Sequence, residues 1–142
     1  MVSCQLFALE DERVAKTNFE KLEVYQLSEQ LADMLWDIAT AWESFAKSTV
    51  GRQIVRAADS IGANIAEGSG RGSYQDNRRH VRIARGSLNE TQHWLRRAFK
   101  RNLLSEEQTS SIKPLVDELA PRLNAYLRSI GPTEEQPLTT DN

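Results

Sequence analysis

The longest periodic segment of the chain is residues 73–101, SYQDNRRHVRIARGSLNETQHWLRRAFKR. When successive residues are placed 100° apart, as in an α-helix, the apolar side chains gather in one narrow sector of the wheel. The segment therefore predicts one amphipathic helix of about 28 residues, roughly 42 Å long at 1.5 Å per residue. Its predicted core stripe consists of Val81, Ala84, Leu88, Leu95 and Phe99.

The opposite side of this helix is basic. Only Glu90 interrupts the broader face, and the aromatic residues that a platform for single-stranded nucleic acid would interleave are missing from it. Such a row of cations repels itself unless negative charge lies nearby. The row is called the basic face below, and it consists of Arg78, Arg82, Arg85, Arg96, Arg97, Lys100 and Arg101.

Three sources of negative charge could neutralise the basic face. Acids of other helices are the first, and Glu29, Asp33 and Asp37 form a ladder at four-residue spacing in the first predicted helix. Solvent ions are the second. Phosphates of RNA or DNA are the third, because the guanidinium fork matches phosphate oxygens. The sequence leaves these alternatives open, and pairing within or between subunits is the simplest of them.

Three further segments have helical periodicity. The first predicted helix runs from about Leu22 to Trp42. The second runs from about Thr49 to Glu67 and stops in the glycine-rich turn at residues 68–72. The fourth begins after Ser105, a favourable N-cap residue with two acids in the turn that follows it.

These patterns predict an all-α fold, an antiparallel up-and-down four-helix bundle, because strand alternation and hairpin turns are absent from the sequence. Polar residues 43–49 would connect the first two helices. Pro114 and Pro121 lie inside the fourth pattern, where each removes an amide donor and crowds the carbonyl four residues earlier. We therefore expect a kink there, or a helix that ends near Lys113.

The bundle is expected to span residues 19–131 as one domain. Residues 1–18 have no sustained period and predict a flexible arm, and residues 132–142, PTEEQPLTTDN, predict a disordered tail. No apolar run approaches the roughly 18 residues of a transmembrane helix, and the N-terminus lacks the features of a secretory signal. We therefore expect a cytoplasmic protein that does not bind membranes.

The net charge of −2 is distributed unevenly along the chain. Residues 52–101 carry 11 basic and 4 acidic groups, whereas the segments on either side are acidic. Such asymmetry is typical of a nucleic-acid surface, but it also fits pairing of the middle third with the outer thirds.

The residue types argue against most catalytic chemistry. The single cysteine, Cys4, excludes an internal disulfide framework and a multi-cysteine zinc site. Glu90 and His93 have the Glu-x-x-His spacing of di-iron bundles, but such a site needs two copies and further glutamates in the core. The glycine-rich turn lacks the P-loop pattern. We expect no cofactor and no metal. The alternative function is a small-molecule or metal-dependent enzyme that uses the bundle interior.

Small and polar residues predict a close contact between the second and third helices. Gly62 and Gly86 each cost about 1 kcal/mol relative to alanine inside a helix, which close approach of two backbones would explain. His80 is expected to be a packed side chain rather than a ligand. A polar network that fixes the register of the two helices would consist of Ser60, Asn64, Glu67 and Ser87.

Three blocks of the sequence are similar to those of a known protein family. They are FEKLEVY at 19–25, RAADSIGANIAEG at 56–68 with Gly70 and Arg71 after it, and RIARGSLNE at 82–90. Together they resemble the 23S ribosomal RNA intervening-sequence proteins, which are four-helix bundles related to the accessory protein of diversity-generating retroelements. The resemblance covers about residues 19–130. Its motif positions, which are expected to be structural, are Arg56, Asn64, Glu67, Gly68, Arg71, Gly86, Ser87 and Glu90.

The resemblance implies a homopentameric ring of four-helix bundles without catalytic activity. The retroelement relatives are strongly basic, bind nucleic acid and partner a reverse transcriptase, whereas the pI of this chain is about 5.7. The chain departs from the family pattern at Asn77 and His80, where aromatic residues are usual, and at Arg85, where an apolar residue is common.

We therefore predict a non-enzymatic, self-associating bundle that acts as a scaffold or interaction protein. Its expected partners are further copies of itself in a pentamer, with RNA, DNA or another protein as candidates for a second partner. The basic face would contact nucleic acid or a neighbouring subunit. Trp36, Trp42 and Trp94 are expected to be core or interface anchors.

Overall fold

The computed structural model describes residues 19–131, so the predicted arm at 1–18 and the predicted tail at 132–142 lie outside the described residues. The four long helices are α1 (Glu23–Thr40), α2 (Arg52–Ser69), α3 (Tyr74–Lys100) and α4 (Glu106–Ser129). No strand occurs within residues 19–131, and the prediction of an all-α protein with four helices is confirmed. None of these helices is long and apolar enough to cross a membrane.

The connection between α1 and α2 is shorter than predicted. Helical backbone begins already at Ser44, in a single turn at Ser44–Ala46 that continues through a π-helical segment at Lys47–Gly51 into α2. The carboxylate of Glu43 caps this start by accepting hydrogen bonds from the amides of Phe45 and Ala46, at 3.0 and 2.8 Å. These two bonds lower the pKa of Glu43. Assigning residues 43–49 to a non-helical connection was therefore wrong.

Side-chain caps fix the starts of α3 and α4. The hydroxyl oxygen of Ser73 accepts a hydrogen bond from the amide of Asp76 at 3.1 Å. Ser105 and Gln108 form a reciprocal capping box, in which each side chain accepts a hydrogen bond from the backbone amide of the other residue. The predicted extent of α3 and the N-cap at Ser105 are confirmed.

Helix α4 continues through both of its prolines, so the alternative that it ends near Lys113 was wrong, and the expected kink stays a prediction. Pro114 and Pro121 are seven residues apart, which places both on one side of the helix, and both are exposed. The carbonyls that lose their amide partner belong to the exposed residues Ser110 and Asp117, and water can hydrogen-bond to them. The buried side of α4 is free of proline and consists of Ile112, Val116, Leu119 and Leu123.

All four helices contribute to one apolar core, in which α1 and α3 each contact α2 and α4. Val81, Ala84 and Leu88 of the predicted α3 stripe are buried, but Phe99 is 53% exposed. Beyond Leu88 the buried residues of α3 are Thr91 and Ala98 instead. Placing Phe99 in the core was therefore wrong.

A hydrogen bond joins the far end of α1 to the loop between α3 and α4. The indole Nε1 of Trp42 donates to the carbonyl oxygen of Leu103 at 2.9 Å, and the ring is half-buried against the core. Trp42 thus acts as the core anchor that the sequence analysis allowed for. Trp36, one and a half turns earlier in α1, is 54% exposed.

Glycine permits the closest helix contacts. A β-carbon on Gly68 would lie 2.6 Å from Oδ1 of Asn77 and 3.1 Å from the backbone oxygen of Asn77. A β-carbon on Gly62 would lie 2.9 Å from the hydroxyl of Ser28. The close approach of two backbones predicted at Gly62 was wrong, because its close neighbours are side chains of α1, those of Ser28 and Tyr25. It was also wrong for Gly86, around which a β-carbon would meet nothing within 4 Å in the described part of the chain.

We predict opposite effects of alanine at two glycines. Gly68→Ala should destabilise the fold by about 1–3 kcal/mol, because the new methyl group meets α3 backbone that cannot move away without repacking. Gly86→Ala is the matched control and should stabilise the fold by about 0.5–1 kcal/mol, because alanine favours a helix interior and the site is open. Urea denaturation followed by circular dichroism measures both. A stabilised Gly68→Ala protein would contradict the tight contact.

The carboxylates of Asp33 and Asp59 line one groove between α1 and α2. Partial burial, and then the negative charge of Asp33, raise the pKa of Asp59 above its ordinary value of 3.8. Ionised Asp59 therefore disfavours the folded state at neutral pH, and this cost disappears once Asp59 is protonated in both states.

We expect Asp59→Asn to be more stable than the unchanged protein at pH 7, and the difference should shrink towards zero as the pH falls below about 3.8. Chemical denaturation across this pH range is the measurement. Asp37→Asn, which changes an exposed carboxylate of α1, is the control. An advantage of Asp59→Asn that persists at pH 3 would show that its origin is not the charge.

Candidate nucleic-acid interface

The basic face lies along the outer side of α3, and none of its seven cations has an acidic partner within residues 19–131. Arg82, Arg96, Lys100 and Arg101 are exposed and Arg97 is half-buried. Within residues 19–131 none of these five side chains takes part in an ion pair; the ion pairs found there join other residues. From Arg82 to Arg101 the row is about 28 Å long at 1.5 Å per residue.

The other two residues of the basic face bind α4. Nη1 of Arg78 donates a 2.8 Å hydrogen bond to the carbonyl oxygen of Ile130. Nη1 of Arg85 donates a 3.2 Å hydrogen bond to Oδ1 of Asn124. Both acceptors are neutral, so the positive charges of Arg78 and Arg85 stay uncompensated while their side chains connect two helices. The hydrogen bond to Asn124 also explains how this chain accommodates an arginine at position 85, where an apolar residue is common in the family pattern.

The acidic ladder of α1 does not neutralise the basic face within one chain. Helices α1 and α3 lie diagonally across the bundle, and their α-carbons stay more than 8 Å apart throughout the part that the structure describes. The interpretation that Glu29, Asp33 and Asp37 pair with the basic face of the same chain was therefore wrong. Pairing with a neighbouring subunit, solvent ions and phosphate are the alternatives that stay open.

A groove beside the basic face was not expected from the sequence. It lies between α3 and α4, has a volume of about 330 Å³ and is called the α3–α4 groove below. Arg96 and Lys113 are its cationic residues, and Asp117 is its acid. Assigning Phe99 to the core concealed this groove, because its aromatic ring is what forms one wall. The apolar wall consists of Leu95, Phe99, Leu104, Ile112 and Val116.

Part of the predicted polar network is present between α2 and α3. The hydroxyl of Ser87 donates to that of Ser60 at 2.9 Å, and Nδ2 of Asn64 donates to the carbonyl oxygen of Ser60. Oδ1 of Asn64 is therefore the acceptor for Nδ1 of His80, at 3.1 Å, and His80 is buried as expected. Glu67 does not join this network, since its exposed carboxylate pairs with Arg71 at 2.8 Å.

The remaining motif residues lie on the outer side of α2 and α3. Arg56 and Glu90 line a shallow surface groove between the two helices. The carboxylate of Glu90 accepts a 3.2 Å hydrogen bond from the indole of Trp94, whose ring contacts the exposed His93 edge-on.

In residues 19–131 no three His, Cys, Asp or Glu side chains are grouped so that they could hold a metal ion. The buried polar residues there are Ser28, His80, Ser87 and Thr91.

Comparison with known proteins identifies the family. A family model described as "23S rRNA-intervening sequence protein" matches residues 20–125, which include α1, α2, α3 and most of α4. A crystal structure of a protein of unknown function from the S23 ribosomal protein family of Bacteroides thetaiotaomicron is similar, with a TM-score of 0.66 and 26% identity. The match covers 75% of this chain and 99% of that one. No curated protein matches the chain. The chain therefore belongs to the 23S rRNA-intervening sequence protein family.

Proposed function

We propose that this protein is a cytoplasmic, non-enzymatic scaffold that self-associates and contacts RNA or DNA through the basic face of α3. The observation that carries the proposal is that no side chain of the basic face, from Arg78 to Arg101, takes part in an ion pair within residues 19–131. Concentrated positive charge of this kind attracts phosphate, and arginine forms paired hydrogen bonds with its oxygens. Acids of a neighbouring subunit are the competing partner.

The proposed assembly is a homopentameric ring of antiparallel up-and-down bundles. Large exposed apolar side chains support self-association, since Trp36 is 54% and Phe45 is 73% exposed. The acidic ladder of α1 and the basic face of α3 lie at opposite corners of the bundle. Two different surfaces of opposite charge suit a head-to-tail contact, and such contacts close into a ring when the rotation between neighbours completes a turn.

Light scattering on the purified chain tests the assembly. We expect a mass five times that of the 16.1 kDa chain at micromolar concentration. The double variant Trp36→Ser, Phe45→Ser should remain folded, because both side chains are exposed, and should have a lower mass. A monomeric or dimeric mass for the unchanged protein would contradict the pentamer.

Fluorescence anisotropy with labelled RNA and DNA across a salt series tests the nucleic-acid contact. We expect binding that weakens steeply with salt, and a triple variant Arg82→Ala, Arg96→Ala, Lys100→Ala that binds much more weakly. Because each phosphate contact on a single strand contributes a slope of about 0.7, removing three should reduce the slope of log K against log salt by about 2. Arg78 is left in place, since it also holds Ile130.

The matched control removes three cations from other parts of the surface, by Lys21→Ala, Lys47→Ala and Arg128→Ala. These side chains are exposed and lie outside the basic face, so the control changes the net charge equally. Equal weakening by both triple variants would mean that total charge governs binding. No binding of the unchanged protein at low salt would assign the basic face to subunit pairing instead.

A further inference from the structure

The α3–α4 groove combines an exposed aromatic ring with an apolar floor. The ring of Phe99 is 53% exposed, although its neighbours Ile112 and Val116 on the other side of the groove are buried. A flat aromatic wall beside an open apolar slot is the arrangement on which nucleic-acid bases stack. The helical wheel places Phe99 in the core stripe, so the sequence predicts no such platform beside the basic face.

Unpaired cations border the same groove. Arg96 lines it, and Lys100 follows one helical turn later, about 6 Å along the axis. Neither makes an ion pair within the described residues. Lys113, on the other wall, is already paired with Asp117 at 2.7 Å, so the uncompensated charge lies on the α3 side. A ligand that suits the groove therefore has an apolar planar part and a negative group towards α3.

From this geometry we infer that the α3–α4 groove receives an unpaired base of single-stranded nucleic acid, which stacks on Phe99 while Arg96 and Lys100 bind the neighbouring phosphates. The inference rests on the proposed function and names its ligand class more closely. A duplex keeps its bases stacked inside the helix and offers no free face to Phe99, whereas a single strand does. Double-stranded nucleic acid would therefore contact only the cations.

The experiment compares a labelled single-stranded RNA with a duplex of the same sequence, by anisotropy at fixed salt. Phe99→Ala should weaken single-strand binding by roughly 5- to 150-fold, the range found when one stacking aromatic residue is removed. Duplex binding should change less than about twofold, since phosphate contacts persist. Ile83→Ala, which shortens another exposed apolar side chain of α3 away from the groove, is the matched control and should change neither.

A second variant gives a positive signal. Phe99→Trp should keep the single-strand affinity, and its added indole fluorescence should be quenched by single-stranded RNA but not by duplex, in a manner absent from the unchanged protein. Equal losses of single-strand and duplex binding in Phe99→Ala, or no loss at all, would overturn the base site and leave the proposed function standing. A reduced assembly mass of Phe99→Ala would overturn it in favour of a subunit contact. Failure of the unchanged protein to bind either RNA would overturn both proposals.

Discussion

The charge distribution of this protein depends on one packing constraint: a helix in a four-helix bundle contacts two neighbours and lies diagonally across from the third. Here the diagonal partner of the basic α3 is α1, which carries the acidic ladder. The two charged surfaces therefore face away from each other and cannot cancel within the chain. Although the net charge of the chain is negative, the surface of α3 therefore carries a concentrated positive charge.

The contact between α2 and α3 sets the register of the two helices that carry the family motifs at 56–68 and 82–90. Gly68 lets the backbone of α2 approach Asn77, and the hydrogen bonds from Ser60 through Asn64 to His80 add direction to that contact. Apolar packing alone tolerates sliding, whereas a hydrogen-bonded layer has one favourable alignment. Further along α3, Thr91 and Ala98 are buried, whereas Phe99 is exposed.

Periodicity and caps were sufficient to predict the number of helices, the whole of α3 and the start of α4, because these are local properties of the chain. Glu43 was missed as a cap, since glutamate is not among the residues preferred at that position. The continuity of α4 could not be predicted, because the cost of a proline depends on whether the carbonyl it deprives faces water. The α3–α4 groove could not be predicted, because Phe99 lies at the edge of the apolar sector of α3. At such a position tertiary packing decides whether the side chain is buried.

The two prolines of α4 also bear on how the bundle folds. An isolated segment with proline at two interior positions is a poor helix former, because each costs about 3 kcal/mol relative to alanine. Helical structure in α4 therefore has to be supplied by packing of its apolar side on α1 and α3. The helical order of α4 is therefore coupled to the surface that α1 and α3 present to it, and loss of that surface would remove the packing on which this order depends.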